Sequence, residues 1–166
     1  MSVDVKKIND FASQQVGNKD RLTKAYNRYY LEHYVGNLFK DNTLFKMYYL
    51  DLNKFKPIND THGHDVGDYV LSKTVTKLNS LNLFKDLVFR VGGDEIVLIQ
   101  IDNLEEDLSK LITSTIEKPV KYKKLSLKIS TSIGCVSSAK YSNLEKMLKD
   151  ADGLMFKNKN SSSATA

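Results

Sequence analysis

Acidic side chains beside two apolar runs are the first candidates for chemistry in this sequence. Asp51 stands near the end of the apolar run of residues 44–52, and Asp94 and Glu95 directly follow the pair Gly92-Gly93. If the flanking runs are neighbouring strands, three carboxylates come to one edge of a sheet. Mg²⁺ prefers oxygen ligands and is typically held by one or two carboxylates plus substrate phosphates. The pattern therefore predicts a site for divalent ions and a phosphate-bearing ligand.

Each of these acids also has a purely structural interpretation. Asp51 alone is equally typical of a strand-end residue that caps a turn. Asp94 and Glu95 alone are compatible with solvated residues beside a glycine hairpin, since short motifs have a high false-positive rate. It is their combination that favours chemistry.

Residues 55–68 carry a second cluster of polar side chains, directly after Asp51. The amide of Asn59 and the carboxylate of Asp68 have the donor and acceptor types that read the edge of guanine. The alternative is a turn that leads into a helix N-cap at Asp65. The two histidines nearby, His62 and His64, favour hydrogen bonding over metal binding, because no further histidine or cysteine stands close to them in the sequence.

The strands that must position these residues are predicted from apolar runs. Residues 44–52 predict a strand buried on both faces, and residues 125–137 predict one or two more. Residues 87–91 and 95–101 predict a β-hairpin, in which the glycine pair between them supplies positive φ angles.

Helices are predicted between the strands. Helical spacing of apolar residues predicts one helix over residues 25–40 and another from about Asp65. Asn103 with Glu106, and Ser142 with Glu145, resemble capping boxes that open two further helices. This order of elements predicts an α+β domain with a largely antiparallel central sheet flanked by helices.

Length and composition are those of one globular domain and exclude several classes of protein. The 166 residues are 41% hydrophobic and 27% charged, and no apolar run approaches the length of about 20 residues that a spanning helix needs. The net charge of +5 comes from scattered lysines, without the basic stripe and interleaved aromatics of a nucleic-acid track. Cys135 is alone, and no secretory signal follows Met1, so we expect a cytoplasmic location. We expect an entry helix or linker over residues 1–19 and a flexible tail over residues 161–166.

Taken together, the motifs resemble the GGDEF family of diguanylate cyclases over residues 20–160. Four motifs stand in the family's order and spacing, and this combination is highly specific. The matching segments are Asp20-Arg21-Leu22-Thr23, Asp51-Leu52-Asn53-Lys54-Phe55-Lys56, Asn59-Asp60, Gly63-His64, Gly67-Asp68, Gly92-Gly93-Asp94-Glu95-Ile96 and Ala151-Asp152.

The resemblance implies a palm-like fold of the nucleotidyl cyclase or ferredoxin-like type that binds one GTP per domain. Two domains would face each other and condense two GTP molecules into cyclic di-GMP, with release of two pyrophosphates. The implied cofactor is Mg²⁺ or Mn²⁺. The implied partner is a second copy, brought together by an upstream sensor domain outside this sequence. No nucleic acid and no membrane contact of the domain itself are expected, although the domain is also compatible with the cytoplasmic part of a larger, membrane-bound signalling protein.

The resemblance also implies a role for each matching residue. Asp51 and Asp94, with the Leu52 carbonyl, would hold the metals, and Glu95 would assist deprotonation of the attacking 3′-hydroxyl. Asn59 and Asp68 would read guanine. The remaining expected substrate-binding residues are Lys56 and Lys159 at the triphosphate, together with Phe55, His64, Gly92 and Gly93.

Two departures from the family pattern keep a second interpretation open. Ile96 replaces the final phenylalanine of the family motif, where we expect it to continue a buried strand, and Ser163 stands where the family often has a second phosphate-binding arginine. The alternative to a cyclase is therefore a degenerate, non-catalytic module that binds GTP and regulates a neighbouring domain. The intact Asp51, Asp94 and Glu95 favour the enzyme.

Overall fold

A computed structural model of the chain describes residues 17–84 and 86–164. The entry helix expected over residues 1–19 lies almost entirely outside the described residues. The strands are β1 (Tyr26–Asn27), β2 (Lys46–Asn53), β3 (Val88–Arg90), β4 (Glu95–Gln100), β5 (Val120–Tyr122), β6 (Leu125–Leu127) and β7 (Ser130–Ser137). The α-helices are α1 (Arg28–Lys40), α2 (Phe55–His62), α3 (His64–Asn79), α4 (Ser109–Ile116) and α5 (Leu144–Ala164). Short 3₁₀ turns cover Asn82–Phe84 and Ser138–Lys140.

The central sheet has five strands in the order β1-β3-β4-β2-β7. Strand β1 pairs with β3 in parallel, and every other pair in this sheet is antiparallel. Strands β5 and β6 form a separate hairpin. The predicted α+β class with a largely antiparallel sheet is therefore confirmed.

Strand β2 lies in the middle of the fold and is buried on both faces, as its sequence predicts. Tyr48 and Leu50 belong to an apolar cluster that also holds side chains of α3 and α4. Met47 and Tyr49 belong to a second cluster on the opposite face, with side chains of α1 and α5. Because successive side chains of a strand point to opposite faces, Asp51 lies on the same face as Tyr49.

Ile96, at the position of the altered motif residue, is fully buried and packs among the apolar side chains on the α3 side of the sheet. The expectation that it continues the buried strand is confirmed. The predicted apolar face of the last helix is also confirmed, since Met147, Ala151 and Met155 are buried against the other side of the sheet.

Two predicted helix boundaries near the site are wrong. The helix predicted from residue 25 begins at Arg28, because Tyr26–Asn27 pairs with β3 and the Asn27 side chain caps the first turn. Residues 55–62, for which the sequence suggests a turn that leads into a helix from about Asp65, form the helix α2. Gly63, with a φ of 90°, separates α2 from α3 and takes the N-cap position that the sequence suggests for Asp65.

Both predicted capping boxes are also wrong, for local reasons. Asn103 has a φ of 53° and its carbonyl accepts from the Gln100 side chain, so α4 begins only at Ser109. In α5 the capping side chain is Asn143, which accepts from the Lys146 backbone nitrogen. This last helix continues to Ala164, where the sequence predicts a tail from residue 161.

Candidate active site

The predicted carboxylates lie at one edge of the central sheet. Asp51 is near the end of β2 and is paired in register with Glu95, the first residue of the antiparallel β4. The backbone nitrogen of Leu52 donates to the carbonyl of Asp94 over 3.3 Å, which fixes the turn residue against β2. Strand pairing therefore brings together acids that are more than 40 positions apart in the sequence.

Asp51 and Asp94 form a pair of facing carboxyl groups. Burial, followed by the charge of Asp51, raises the pKa of Asp94 to about 6. Two negative charges in a half-buried place repel each other, so the pair is stabilised either by a proton or by a cation. A cation of the protein is already close, because Nζ of Lys159 lies 2.7 Å from Oδ2 of Asp51.

Glu95 takes a different direction from the facing pair. Its carboxylate folds back over Gly92, and a Cβ on residue 92 would collide with it. All three acids thus share one edge, as predicted, but they do not form a cluster of three around one point. In the described ranges of the chain, no group of three or more His, Cys, Asp or Glu side chains is arranged to hold a metal ion.

The glycine pair of the hairpin works differently from the prediction. Neither Gly92 nor Gly93 has a positive φ. Gly92 is needed for space, since its missing side chain leaves room for Glu95. The turn is held by the guanidinium of Arg90, which donates to the carbonyls of both glycines over 2.8 to 3.2 Å.

Arg90 also ties this hairpin to the entry segment of the domain. Its Nη1 lies 3.0 and 3.1 Å from the two carboxylate oxygens of Asp20. The Asp20 carboxylate also accepts from the backbone and the hydroxyl of Thr23. Burial opposes ionisation of Asp20, but these hydrogen bonds and the ion pair with Arg90 outweigh it and lower its pKa.

The residues expected to read guanine lie on α2 and α3. Asn59 is half-buried, and its Oδ1 is buried without a hydrogen-bond partner. A Cβ on Gly67 would collide with this oxygen, so the glycine at residue 67 is what allows α3 to approach the Asn59 side chain. Asp68, the next residue along α3, is exposed. A polar side chain with one buried, unpaired atom is a candidate ligand contact.

The other expected substrate-binding residues, apart from Lys159, make no described contact with the carboxylates. Phe55 is partly buried and packs against the apolar core, and Lys56 and His64 are exposed at the beginnings of α2 and α3. In the described parts of the chain, no hydrogen bond or ion pair joins Lys56 or His64 to the carboxylates. Lys159, expected at the triphosphate, instead contacts Asp51.

The facing carboxylates fit a hard divalent cation. They supply anionic oxygen donors and are half-buried, and burial together with the charge of Asp51 raises the pKa of Asp94 to about 6. Mg²⁺ needs only one or two such carboxylates when substrate phosphates complete its ligands, so two converging acids are sufficient in number.

Sequence reasoning missed two contacts of this site. The roles of Arg90 and of the Lys159–Asp51 pair depend on tertiary contacts between distant positions. One feature of the sequence could have pointed to Arg90: it is a charged residue near the end of an apolar run, two positions before Gly92.

A comparison with known protein families identifies the class. The family model described as "Diguanylate cyclase, GGDEF domain" matches residues 17–165, and the chain therefore belongs to the GGDEF family.

Individual relatives agree with this assignment. The chain is similar to the signaling protein YkoW of Bacillus subtilis, with 37% identity over 81% of this chain and 16% of the relative. It is also similar to the probable diguanylate cyclase DgcI of Escherichia coli, with 33% identity over 95% of this chain and 34% of the relative. A solved structure of a sensory box/GGDEF family protein from Caulobacter crescentus matches with a TM-score of 0.75 and 25% identity, over 87% of this chain and 99% of that one.

The chain spans about a sixth to a third of the length of these two curated relatives. None of the helices in residues 17–84 and 86–164 is both long and apolar enough to cross a membrane.

Proposed function

We propose that this domain is a diguanylate cyclase that condenses two GTP molecules into cyclic di-GMP and two pyrophosphates. The observation that carries the proposal is the facing pair Asp51 and Asp94 at the sheet edge, beside Glu95, in a chain of the GGDEF family. Several relatives are named as diguanylate cyclases, among them DosC of Escherichia coli.

The proposed site would hold Mg²⁺ or Mn²⁺ through Asp51, Asp94 and the Leu52 carbonyl. When bound, the ion would polarise phosphate oxygens and neutralise their charge. Asn59 and Asp68 would orient the guanine base, and Lys56 and Lys159 would counter the negative charge of the triphosphate. Phe55, His64, Gly92 and Gly93 would complete the walls of the substrate site.

The proposed reaction transfers a nucleotidyl group between two domains. The 3′-oxygen of one GTP attacks the α-phosphorus of the GTP held by the other copy. A new P–O bond forms as the bond from the α-phosphorus to pyrophosphate breaks, and the hydroxyl proton passes to the Glu95 carboxylate. A second, identical transfer in the opposite direction closes the ring.

Two copies are required because each domain offers one pair of facing carboxylates for one GTP. We propose that an upstream sensor region brings the two domains together. This is supported by the relatives, in which the segment similar to this chain is only 16% and 34% of the whole protein. Two tethered domains raise each other's effective concentration toward the millimolar range.

Incubation with GTP and Mg²⁺, followed by chromatography of the nucleotides, tests this function. We expect cyclic di-GMP and pyrophosphate in a ratio of one to two, and neither product from Asp94→Asn. That variant keeps the size of the side chain and removes its charge, and circular dichroism checks its fold. If the parent domain binds GTP at high protein concentration and forms no product, the degenerate GTP-binding alternative holds instead.

A further inference from the structure

Most of the positive charge of the chain is gathered around the small hairpin of β5 and β6. The twelve residues 117–128 carry five lysines and one acid, so that +4 of the net charge of +5 lies in this segment. All five lysines are exposed, and so is a sixth on α3. We call these six residues the lysine patch: Lys73, Lys118, Lys121, Lys123, Lys124 and Lys128.

The hairpin has an inner and an outer face. Lys121 of β5 is opposite Ser126 of β6, and both are exposed. Tyr122, the next residue of β5, packs inward against the apolar core, because successive side chains of a strand point to opposite faces. The outer face therefore carries Lys121, and the turn between the strands adds Lys123 and Lys124.

A pair of aromatic rings joins this hairpin to α3. The rings of Tyr122 and Tyr69 meet edge to face, with their centroids 4.9 Å apart. Nζ of Lys73 lies 5.4 Å from the centroid of the Tyr69 ring, and Nζ of Lys123 lies 5.4 Å from that of the Tyr122 ring. A lysine of the helix and a lysine of the turn thus flank one aromatic pair, and the surface between them is continuous.

Lys77 fixes the other end of the same surface. It lies one turn beyond Lys73 on α3, and its Nζ donates to the carbonyls of Ile116 and Lys118. These contacts hold the end of α4 and the residues before β5 against α3. Lys77 is itself half-buried and structural, whereas the patch lysines beside it are exposed.

The charge of the patch is not balanced within the domain. Among the residues that the structure describes, none of the six lysines forms an ion pair with an acid. Like charges on one surface repel each other. A lysine on an exposed edge strand prevents pairing with another chain, but Lys73 and Lys118 lie outside the strands, so this reason does not cover them. The patch has the composition of a surface that binds an anion.

The kind of anionic partner follows from what the patch offers. Its two rings are occupied by each other and by lysines, so they are not platforms for nucleic-acid bases. Its cations are lysines, which act as point charges and lack the bidentate geometry of arginine. None of the large hydrophobic side chains that are exposed in the described residues belongs to residues 117–128, so a protein partner would find no apolar anchor. A cluster of several lysines is instead typical of contact with anionic lipid.

We infer that the lysine patch docks the domain on the anionic headgroups of a lipid bilayer. This inference goes beyond the proposed function and does not depend on it. It replaces the expectation from the sequence that the domain itself makes no membrane contact, because the fold gathers lysines that are scattered along the chain. Each lysine that reaches such a surface raises the affinity about fivefold.

The test measures binding of the chain to vesicles by co-sedimentation, without nucleotide. The probes are vesicles of phosphatidylcholine alone and of equimolar phosphatidylcholine and phosphatidylglycerol. We expect the parent to bind only the second kind, and added salt to weaken this binding, since it screens the charges.

Two triple variants with the same net charge separate the patch from overall charge. Lys121→Gln, Lys123→Gln and Lys124→Gln together neutralise the hairpin. The control combines Lys146→Gln, Lys149→Gln and Lys157→Gln, which are exposed on α5 at the opposite face of the sheet. We expect the hairpin variant to bind anionic vesicles at least about tenfold more weakly than the parent, and the control to stay within about twofold of it. Thermal unfolding checks the fold of both.

Three results would overturn the inference. The first is absence of binding of the parent to the anionic vesicles, and the second is equal binding by the two triple variants. The third is tighter binding of the parent to duplex DNA or to polyglutamate than to the anionic vesicles, which would assign the patch to a nucleic acid or to an acidic protein.

Discussion

Nζ of Lys159 lies 2.7 Å from Oδ2 of Asp51, so that the last helix places a positive charge on a carboxylate of the proposed metal site. The hydrogen bond to Asp51 is the main cause that raises the pKa of Lys159, and the charges of Asp51, Asp94 and Glu95 act in the same direction. The lysine therefore remains a cation beside the acids. We therefore expect it to compete with a divalent ion for Asp51 in the nucleotide-free protein.

Lys159→Met should accordingly tighten binding of Mn²⁺ to the nucleotide-free protein. We expect an effect of up to about fivefold, because a partly exposed ion pair is worth up to about 1 kcal/mol. Calorimetric titration with Mn²⁺ measures it, and Lys157→Met, an exposed lysine on the same helix, is the control. Weaker Mn²⁺ binding by Lys159→Met than by this control would show that the lysine does not compete for Asp51.

Much of the fold could be predicted from periodicity, because burial decides it locally. The doubly buried β2, the hairpin around Gly92-Gly93 and the apolar face of α5 all follow from runs of apolar residues. The predicted helix starts failed where a contact outside the helix, long-range at Tyr26 and local at Asn103, overrides the sequence signal. Tyr26 joins the sheet through β3, and Asn103 turns its carbonyl toward Gln100.

The candidate site could be predicted only in part, for a related reason. Asp51, Asp94 and Glu95 stand at or near strand ends, so their arrival at one edge of the sheet follows from strand pairing alone. The Lys159–Asp51 contact joins residues 108 positions apart through the packing of a helix on the sheet, which no local pattern encodes. The sequence predicts that Gly92 is needed for a positive φ angle, whereas the structure needs a glycine there to leave room for the Glu95 side chain. That need also depends on a tertiary arrangement, the position of the Glu95 side chain.

Asp20→Asn should destabilise the domain in a pH-dependent way. The folded-state pKa of Asp20 is lowered from 3.8, so its ion pair stabilises the domain above that pH, and the contribution is lost as the pH falls through the lower folded value. We expect the variant to lose about 1–3 kcal/mol of unfolding free energy at pH 7. The difference from the parent should shrink below about pH 4.

Urea unfolding at pH 7, 5 and 3 measures this effect. Glu32→Gln is the control, because the ion pair of Glu32 with Arg28 is more than half exposed. Such a pair contributes at most about 0.5 kcal/mol to the free energy of unfolding at each of these pH values. A loss for Asp20→Asn that is the same at pH 3 as at pH 7 would contradict the role of the ion pair.

Gly134→Ala should destabilise the protein through contact between backbones. A Cβ at residue 134 of β7 would collide with the carbonyl of Ala151 and the nitrogen of Met155, neither of which can move without shifting α5. We expect a loss of about 1–3 kcal/mol of unfolding free energy. In Gly153→Ala, the added Cβ meets open space within a helix, so this control should gain about 1 kcal/mol. Two variants of equal stability would show that α5 packs less closely on β7 than described.

Substrate choice tests the guanine-reading residues. If Asn59 and Asp68 pair with guanine, ATP leaves polar groups unpaired at about 1–3 kcal/mol each, so the parent should prefer GTP at least tenfold. Asp68→Ala should narrow that margin. Asp65→Ala, another exposed acid of the same helix, should leave it unchanged. Competition binding with GTP and ATP measures the ratio of their affinities. Equal affinity of the parent for the two nucleotides would contradict the role of Asn59 and Asp68 in reading guanine.

The dependence of rate on enzyme concentration tests the central claim most directly, since in the proposed function one domain would hold one GTP while the product joins two. Initial pyrophosphate release is measured over a hundredfold dilution series, with light scattering to report the oligomeric state. If the domain is mostly monomeric, specific activity should rise in proportion to enzyme concentration, and a coiled coil fused upstream of Asp20 should raise it at every dilution. A specific activity that stays flat while light scattering reports a monomer would contradict catalysis by two facing domains.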